Sequence, residues 1–327
     1  MLRVAILSGW HVHAEGYAQE FSELKDVKLT AVWDEDKKRG KYLAEKFGME
    51  YVSDLDALLA RSDVDAVSVT TPTNMHREVI IKAAKAGKHV FTEKVFAATV
   101  KEANEMRTAI KGAGVKFCIS FPHRCVPHNL YAKKVADEGL LGKITFMRVR
   151  NAHNGASAGW LPPHFYDSEQ CQGGAMMDLG AHPNYLAAYF LGKPARVVSV
   201  FNTTACPAGV EDNAVSVIEF ENKAVAVVET GFLTPKSANT IEIEGTGGAL
   251  VIENGVLRYQ TRESDGWIVP ERLPEPLPPV PRRWMDAVLY GKELPAQVGI
   301  EAAVTLTALI ESEYIAHREG RAVTVEG

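Results

Sequence analysis

Val67–Val95 reads V-S-V-T-T-P-T-N-M-H-R-E-V-I-I-K-A-A-K-A-G-K-H-V-F-T-E-K-V. Val67 and Val69, with Ser68 and Thr70, form a short run that suits a buried strand. Thr71-Pro72-Thr73 ends it, because proline fixes φ and has no N–H to continue a ladder. Val79, Ile80, Ala83 and Ala84 then mark one face of a helix, with Lys82 and Lys85 off it. Gly87 stands where a helix stop is expected. His89-Val90-Phe91 is a second strand, and it carries Glu93 and Lys94 to its C-terminal end. Two strands joined by such a helix make a right-handed unit with parallel strands. Ligands on sheets of this kind bind at the carboxyl ends of the strands. Thr71, Asn74, His76, Glu93 and Lys94 are therefore expected on one rim.

Upstream, Leu2–Leu7 is an apolar strand. Ser8-Gly9-Trp10-His11-Val12-His13 turns into a helix beginning near Ala14, and Leu29–Trp33 is a second strand ending at Asp34. A carboxylate there can accept hydrogen bonds from ribose hydroxyls and repels a 2′-phosphate. Asp34 also precedes a helical pattern that runs to Phe47, so a helix cap is the competing role. His11 and His13 at i and i+2 do not share a helix face. No H-E-x-x-H pattern or cysteine partner lies near them, so no metal site is expected.

T-P-T-N-M-H…A-G-K-H-V-F-T-E-K resembles the Gfo/Idh/MocA family of sugar and polyol oxidoreductases, whose pattern is T-P…H…A-G-K-H-V…E-K-P. The resemblance runs from Val4 to Val325. It implies an α/β protein with an N-terminal Rossmann-type, doubly wound parallel sheet over residues 1–121. An α+β domain with a large, mostly antiparallel open sheet follows over residues 122–327, its last helix packing back on the first domain. The family's G-x-G-x-x-G turn is shortened here, and only Gly9 survives. Ser8, Gly9, Trp10, His11, His13, Asp34, Thr71, Pro72, Asn74, His76, Glu93 and Lys94 are the implied cofactor contacts. The cofactor is NAD, with NADP as the alternative. Val95 replaces the family's proline. A non-proline cis bond costs roughly 2.5–4 kcal/mol more than trans, so a trans Lys94–Val95 bond is expected.

The second half supports the same reading. Phe121–Leu130 resembles the family's crossing segment, with Arg124 three residues before Pro127. A long loop between Asn151 and Gln172 is rich in His, Trp, Pro and Phe. Long ordered loops are often functional, and His153, Trp160 and Tyr166 are candidate sugar contacts together with Arg124 and Tyr185. Gly173–Tyr185, G-G-A-M-M-D-L-G-A-H-P-N-Y, resembles the family's second signature. Asp178 and His182 are four apart, so on one helix they share a face. The resemblance places them opposite Lys94 as the catalytic set. Tyr185 stands where the family often has an aspartate. Strands expected at Ala195–Asn202, Asn213–Glu219, Ala224–Gly231, Ala238–Glu244 and Ala249–Glu253 lack intervening helices, which argues for antiparallel pairing. Glu271–Pro281 reads as an extended surface connector.

Length and composition set the limits. At ~100–200 residues per domain, 327 residues argue for two domains. A net charge of −5 gives no pull toward nucleic acid or an anionic membrane. The longest apolar runs fall short of the ~20 residues of a membrane span. Residues 1–7 are too short for a signal peptide and lead into the fold. The four cysteines form no C-x-x-C pair, and a reducing cytoplasm is expected. The resulting expectation is an NAD(P)-dependent dehydrogenase acting on the CH–OH group of a sugar, polyol or cyclitol. It is expected to form a homodimer or homotetramer through the second domain's sheet. The alternatives are a non-catalytic nucleotide-binding regulator on the same fold and an NAD-dependent enzyme that cleaves glycosides.

Overall fold

A computed structural model describes residues 1–206, 209–236 and 239–327. The chain divides into two compact units, residues 1–120 with 278–307 and residues 121–277 with 308–327. The helix Val280–Tyr290, which the sequence reading left unassigned, therefore belongs to the first unit. The last helix, Ile300–Glu319, begins in the first unit and ends in the second.

The first unit is built on a six-stranded sheet of β1 (Leu2–Leu7), β2 (Val27–Trp33), β3 (Glu50–Tyr51), β4 (Ala66–Val69), β5 (His89–Thr92) and β6 (Phe117–Ile119), in the order β3-β2-β1-β4-β5-β6. Every pairing is parallel. Strand order reverses beside β1, and such a switch point is where doubly wound sheets take ligands. The central strands β1, β4 and β5 are buried almost throughout, which explains their unbroken apolar runs. Trp284 of the helix Val280–Tyr290 is fully buried against Phe21 and Phe91, at ring separations of 5.9 and 5.8 Å.

The second unit carries an eight-stranded sheet of β7 (Ile144–Ala152), β8 (Pro194–Asn202), β9 (Asn213–Phe220), β10 (Val225–Gly231), β11 (Thr240–Gly245), β12 (Gly248–Glu253), β13 (Val256–Thr261) and β14 (Val323–Thr324). The order is β13-β12-β11-β7-β10-β9-β8-β14, and all pairs except β7 with β10 are antiparallel. Along β8 and β9 buried and exposed residues alternate, so one face is covered and the other open. The expected strand start at Ala238 lies outside the described residues. Among the described residues, no helix is long and apolar enough to cross a membrane.

Candidate active site

The loop after β1 is closed by its neighbours rather than by glycines. Ser8 is buried with φ of 74°, a left-handed conformation uncommon for serine. Its N–H donates to the Trp33 carbonyl at 2.6 Å, and its carbonyl accepts the Thr70 hydroxyl at 2.5 Å. A Cβ on Gly9 would lie 2.6 Å from Leu43 Cδ1, so the turn runs close against the helix Lys37–Phe47. Trp10 is buried, and the His11 N–H donates to the Thr70 carbonyl at 3.1 Å. No side chain caps the start of the helix Ala14–Ser22 that follows. An uncapped helix start on this rim suits an anion such as a pyrophosphate.

Asp34, expected as an open carboxylate at the end of β2, is closed inside the unit. It accepts the Gly9 N–H at 2.7 Å, the Asp36 N–H at 2.7 Å, and Arg39 Nε and Nη2 at 2.9 and 2.7 Å. Its side chain is fully buried, while that of Arg39 keeps 26% of its exposure. Arg39 also pairs with Glu35. Asp36, not Asp34, caps the helix Lys37–Phe47.

At the β4 and β5 ends, Thr71 and Pro72 are buried and Asn74 is exposed. His76 is buried, with Nε2 3.1 Å from the Thr71 carbonyl and Nδ1 3.2 Å from the Phe96 carbonyl. Burial lowers its pKa, against the pull of those carbonyls. It fastens the post-β4 turn to the segment after Lys94. Glu93 and Lys94 are buried. The Glu93 carboxylate accepts the Lys94 N–H at 3.0 Å, lies 3.0 Å from His13 Nδ1, and accepts the Tyr17 hydroxyl. Burial raises its pKa, but His11, His13 and Lys94 outweigh that and hold it well below the usual carboxylate range. The Lys94–Val95 bond is cis, against the expectation of trans. That expectation used the preference of an isolated peptide; here both residues are buried, and packing rather than local preference sets the isomer.

In the second unit, Asp178 and His182 do not lie on one continuous helix. Asp178 ends the helix Ala175–Asp178, and His182 is in the first turn of the helix Ala181–Leu191. Gly180 stands between, where a Cβ would meet Met176 Sδ at 2.3 Å. His182 is buried, with Nδ1 3.0 Å from the Tyr185 hydroxyl oxygen. That oxygen also accepts the His123 N–H at 3.2 Å, and the His123 and His182 rings are 4.6 Å apart. The Arg124 guanidinium donates to the Tyr185 carbonyl at 2.6 Å and lies over the rings of Phe121, Tyr185 and Tyr189. Burial pushes its pKa down to about 10. A cavity of about 420 Å³ opens beside His182, bordered by His123, Asn151, Leu186 and Thr240.

Glu211 was not singled out in the sequence. Its carboxylate accepts the Gly174 N–H at 3.0 Å, the Met176 N–H at 2.9 Å and the Tyr314 hydroxyl at 2.6 Å. It acts as an N-terminal cap supplied from another segment, at the helix end that favours negative charge. The E-D pair just ahead of β9 was the only available signal. In the long loop, the His153 ring stacks on Phe232 at 5.2 Å and accepts the Gly155 N–H at 3.0 Å. Trp160 is half exposed, with Nε1 donating to Asn154 at 3.2 Å, and burial raises the Tyr166 pKa.

Residues 3–121 match the oxidoreductase family with an NAD-binding Rossmann fold, and residues 129–251 match the GFO/IDH/MocA C-terminal domain. The chain belongs to the GFO/IDH/MocA oxidoreductase family. It is 31% identical over 248 residues to the D-glucoside 3-dehydrogenase of Escherichia coli K12, covering 71% of this chain and 70% of that protein. It is 31% identical over 241 residues to the scyllo-inositol 2-dehydrogenase (NAD(+)) of Bacillus subtilis 168, covering 72% and 68%. The crystal structure of aldose-aldose oxidoreductase from Caulobacter crescentus, complexed with glycerol, superimposes with a TM-score of 0.85 at 26% identity, over 99% of each chain. An NAD-binding oxidoreductase of this family is thus the established frame. Lys94 belongs to its first domain, Asp178 and His182 to its second.

Proposed function

We propose that this family member is a nicotinamide-dependent dehydrogenase that oxidises a CH–OH group of a sugar, polyol or cyclitol, with Lys94, Asp178 and His182 as its catalytic residues. The observation that carries this reading is the setting of His182: buried, beside a cavity, with one ring nitrogen held by the Tyr185 hydroxyl. In the tautomer with Nδ1 protonated, His182 donates to the Tyr185 oxygen, and Nε2 carries the lone pair a general base needs. Tyr185 and Arg124 then act by fixing this ring, and His153, Trp160 and Tyr166 are the proposed contacts for the sugar. The named relatives act on a glucoside and an inositol, which supports the substrate class.

The loop Ser8–His13, Thr71, Pro72, Asn74, His76 and Glu93 would hold or shape the dinucleotide site, and the uncapped start of the helix Ala14–Ser22 suits its pyrophosphate. When bound, the nicotinamide supplies the hydride acceptor. His182 takes the hydroxyl proton. The Lys94 ammonium stabilises the negative charge that develops on the same oxygen. Asp178 orients these groups and accepts from a neighbouring hydroxyl. NAD is the proposed cofactor over NADP. Arg39 is already paired with Asp34 and Glu35, so its charge is matched before any 2′-phosphate arrives.

Native mass spectrometry of the purified protein, followed by a 340 nm screen with NAD and NADP against sugars, polyols and inositols, tests the reading. Nucleotide-dependent absorbance change with at least one polyhydroxylated substrate is the expected result. Nucleotide binding without turnover on any of them would favour the regulator instead.

The open face of the second sheet supports the proposed homo-oligomer. Val198 faces Val217 and Val200 faces Val215 across β8 and β9, and all four are exposed. Contiguous exposed apolar surface of this kind marks a contact face.

A further inference from the structure

The loop after β1 and the end of β5 bring two imidazoles and a carboxylate together. Ligand atoms of His11, His13 and Glu93 all lie within 4.8 Å of one another. His13 Nδ1 is 3.0 Å and His11 Nδ1 4.0 Å from the same Glu93 oxygen. Zinc bonded tetrahedrally at ~2.0–2.1 Å holds neighbouring N and O ligands about 3.3 Å apart, and the observed spacings bracket that value.

The three groups sit in a hydrogen-bonded setting that orients them. The side chains of His11 and Glu93 are 7% and 2% exposed, while that of His13 is 45% exposed. Two of the groups are therefore enclosed by the fold, and the third lies on the solvent side. The carboxylate is oriented by the Tyr17 hydroxyl and the Lys94 N–H, and Ser120 Oγ sits 2.8 Å from the Tyr17 oxygen. Carboxylate ligands are held by partners of this kind in metal sites. His11 Nδ1 accepts the His13 N–H at 3.2 Å, so this nitrogen carries a lone pair, the state metal binding requires. Two imidazoles, one carboxylate and an open position form a ligand set for zinc.

We propose that His11, His13 and Glu93 bind one divalent transition-metal ion, Zn²⁺ by ligand chemistry, at the carboxyl rim of the parallel sheet. On binding, the ion takes the place of the proton between His13 Nδ1 and Glu93, which leaves to solvent, and the His11 Nδ1 lone pair exchanges the His13 N–H for the ion. His11, His13 and Glu93 also border the proposed dinucleotide site, so the ion would occupy the nucleotide-free protein; the test stays distinct from the dehydrogenase reading because its readout is metal binding rather than turnover.

Full-length protein stripped with EDTA and titrated with Co²⁺ provides the test. One equivalent is expected to give the visible absorption of tetrahedral cobalt, bleached on adding Zn²⁺. His13→Cys, at a half-exposed position, is expected to retain one ion and add a near-ultraviolet thiolate-to-cobalt band. Glu93→Gln is expected to lose at least tenfold in affinity. Absence of a cobalt spectrum in the wild-type protein overturns the site, whatever the variants do. A wild-type spectrum that gains no thiolate band in folded His13→Cys overturns it too, because the ion is then bound elsewhere.

Discussion

The Glu211 carboxylate accepts the backbone N–H of Gly174 at 3.0 Å, and the Glu211 carbonyl accepts the N–H of Ala175 at 2.9 Å. These bonds fix the start of the segment that ends in Asp178 and, after Gly180, leads to His182. Glu211→Ala leaves the Met176 N–H and the Tyr314 hydroxyl without this acceptor, and the Gly174 N–H with only the Tyr314 oxygen at 3.3 Å. At ~1–3 kcal/mol for each orphaned buried group, a loss of about 2 kcal/mol or more in unfolding free energy is expected by denaturant titration. Glu211→Gln keeps an acceptor and should recover part of that loss. A wild-type midpoint for Glu211→Ala would remove Glu211 from this role.

Gly174 and Gly16 should respond to alanine with opposite signs. A Cβ on Gly174 would meet the Glu211 carbonyl at 2.2 Å, whereas one on Gly16 has nothing within 4 Å. Gly16 lies inside the helix Ala14–Ser22, where alanine is favoured by roughly 0.5–1 kcal/mol. Thermal melts should show Gly16→Ala unchanged or higher and Gly174→Ala several degrees lower.

Glu313 gives a pH prediction. Asn184 Nδ2 donates to it at 2.8 Å, and burial, followed by smaller effects, pushes its pKa up to about 8. Between the ordinary glutamate range and that value, the unfolded chain has lost a proton that the folded chain keeps. The group's contribution to stability therefore falls as pH rises through this window. Glu313→Gln keeps the shape and cannot ionise. It should stabilise the protein at pH 8 by something on the order of a few kcal/mol and change little at pH 4. Equal effects at both pH values would show that the carboxyl is ionised in the fold.

Much of the fold was legible because its signals are local. The β-branched runs of β1 and β4, the Gly87 stop and the E-K after β5 follow from period, punctuation and spacing within about ten residues. What stayed hidden depends on partners distant in sequence. Asp34 reads as an open carboxylate until Gly9 and Arg39 are seen on it. The cluster of His11 and His13 with Glu93 has no local signal, because Glu93 arrives from β5, on the far side of β4 in the sheet. Asp178 and His182 keep helical spacing, but one short helix ends at Asp178 and the next begins at Ala181, with Gly180 packed closely on Met176 between them. Tyr185 looked like a lost carboxylate. It proves to be the partner of the His182 ring.

The catalytic assignment makes the last prediction. If Lys94 and His182 act on one oxygen and one proton, each affects chiefly the charge that develops in the transition state. Lys94→Met and His182→Ala should each lower kcat, and loss of a general base is typically worth ~10²–10⁴-fold. Nucleotide affinity, measured by calorimetry, should stay within a few-fold of wild type. Tyr185→Phe, which removes only the hydroxyl beside His182 Nδ1, should lower kcat less than His182→Ala and shift the pH profile of kcat, because it changes the tautomer and basicity of the ring. The Lys94→Met/His182→Ala double variant should lose less than the product of the single effects, as residues serving one proton transfer do. Strict multiplicativity would mean that the two residues serve separate steps, and an unchanged kcat in His182→Ala would pass the role of base to another group.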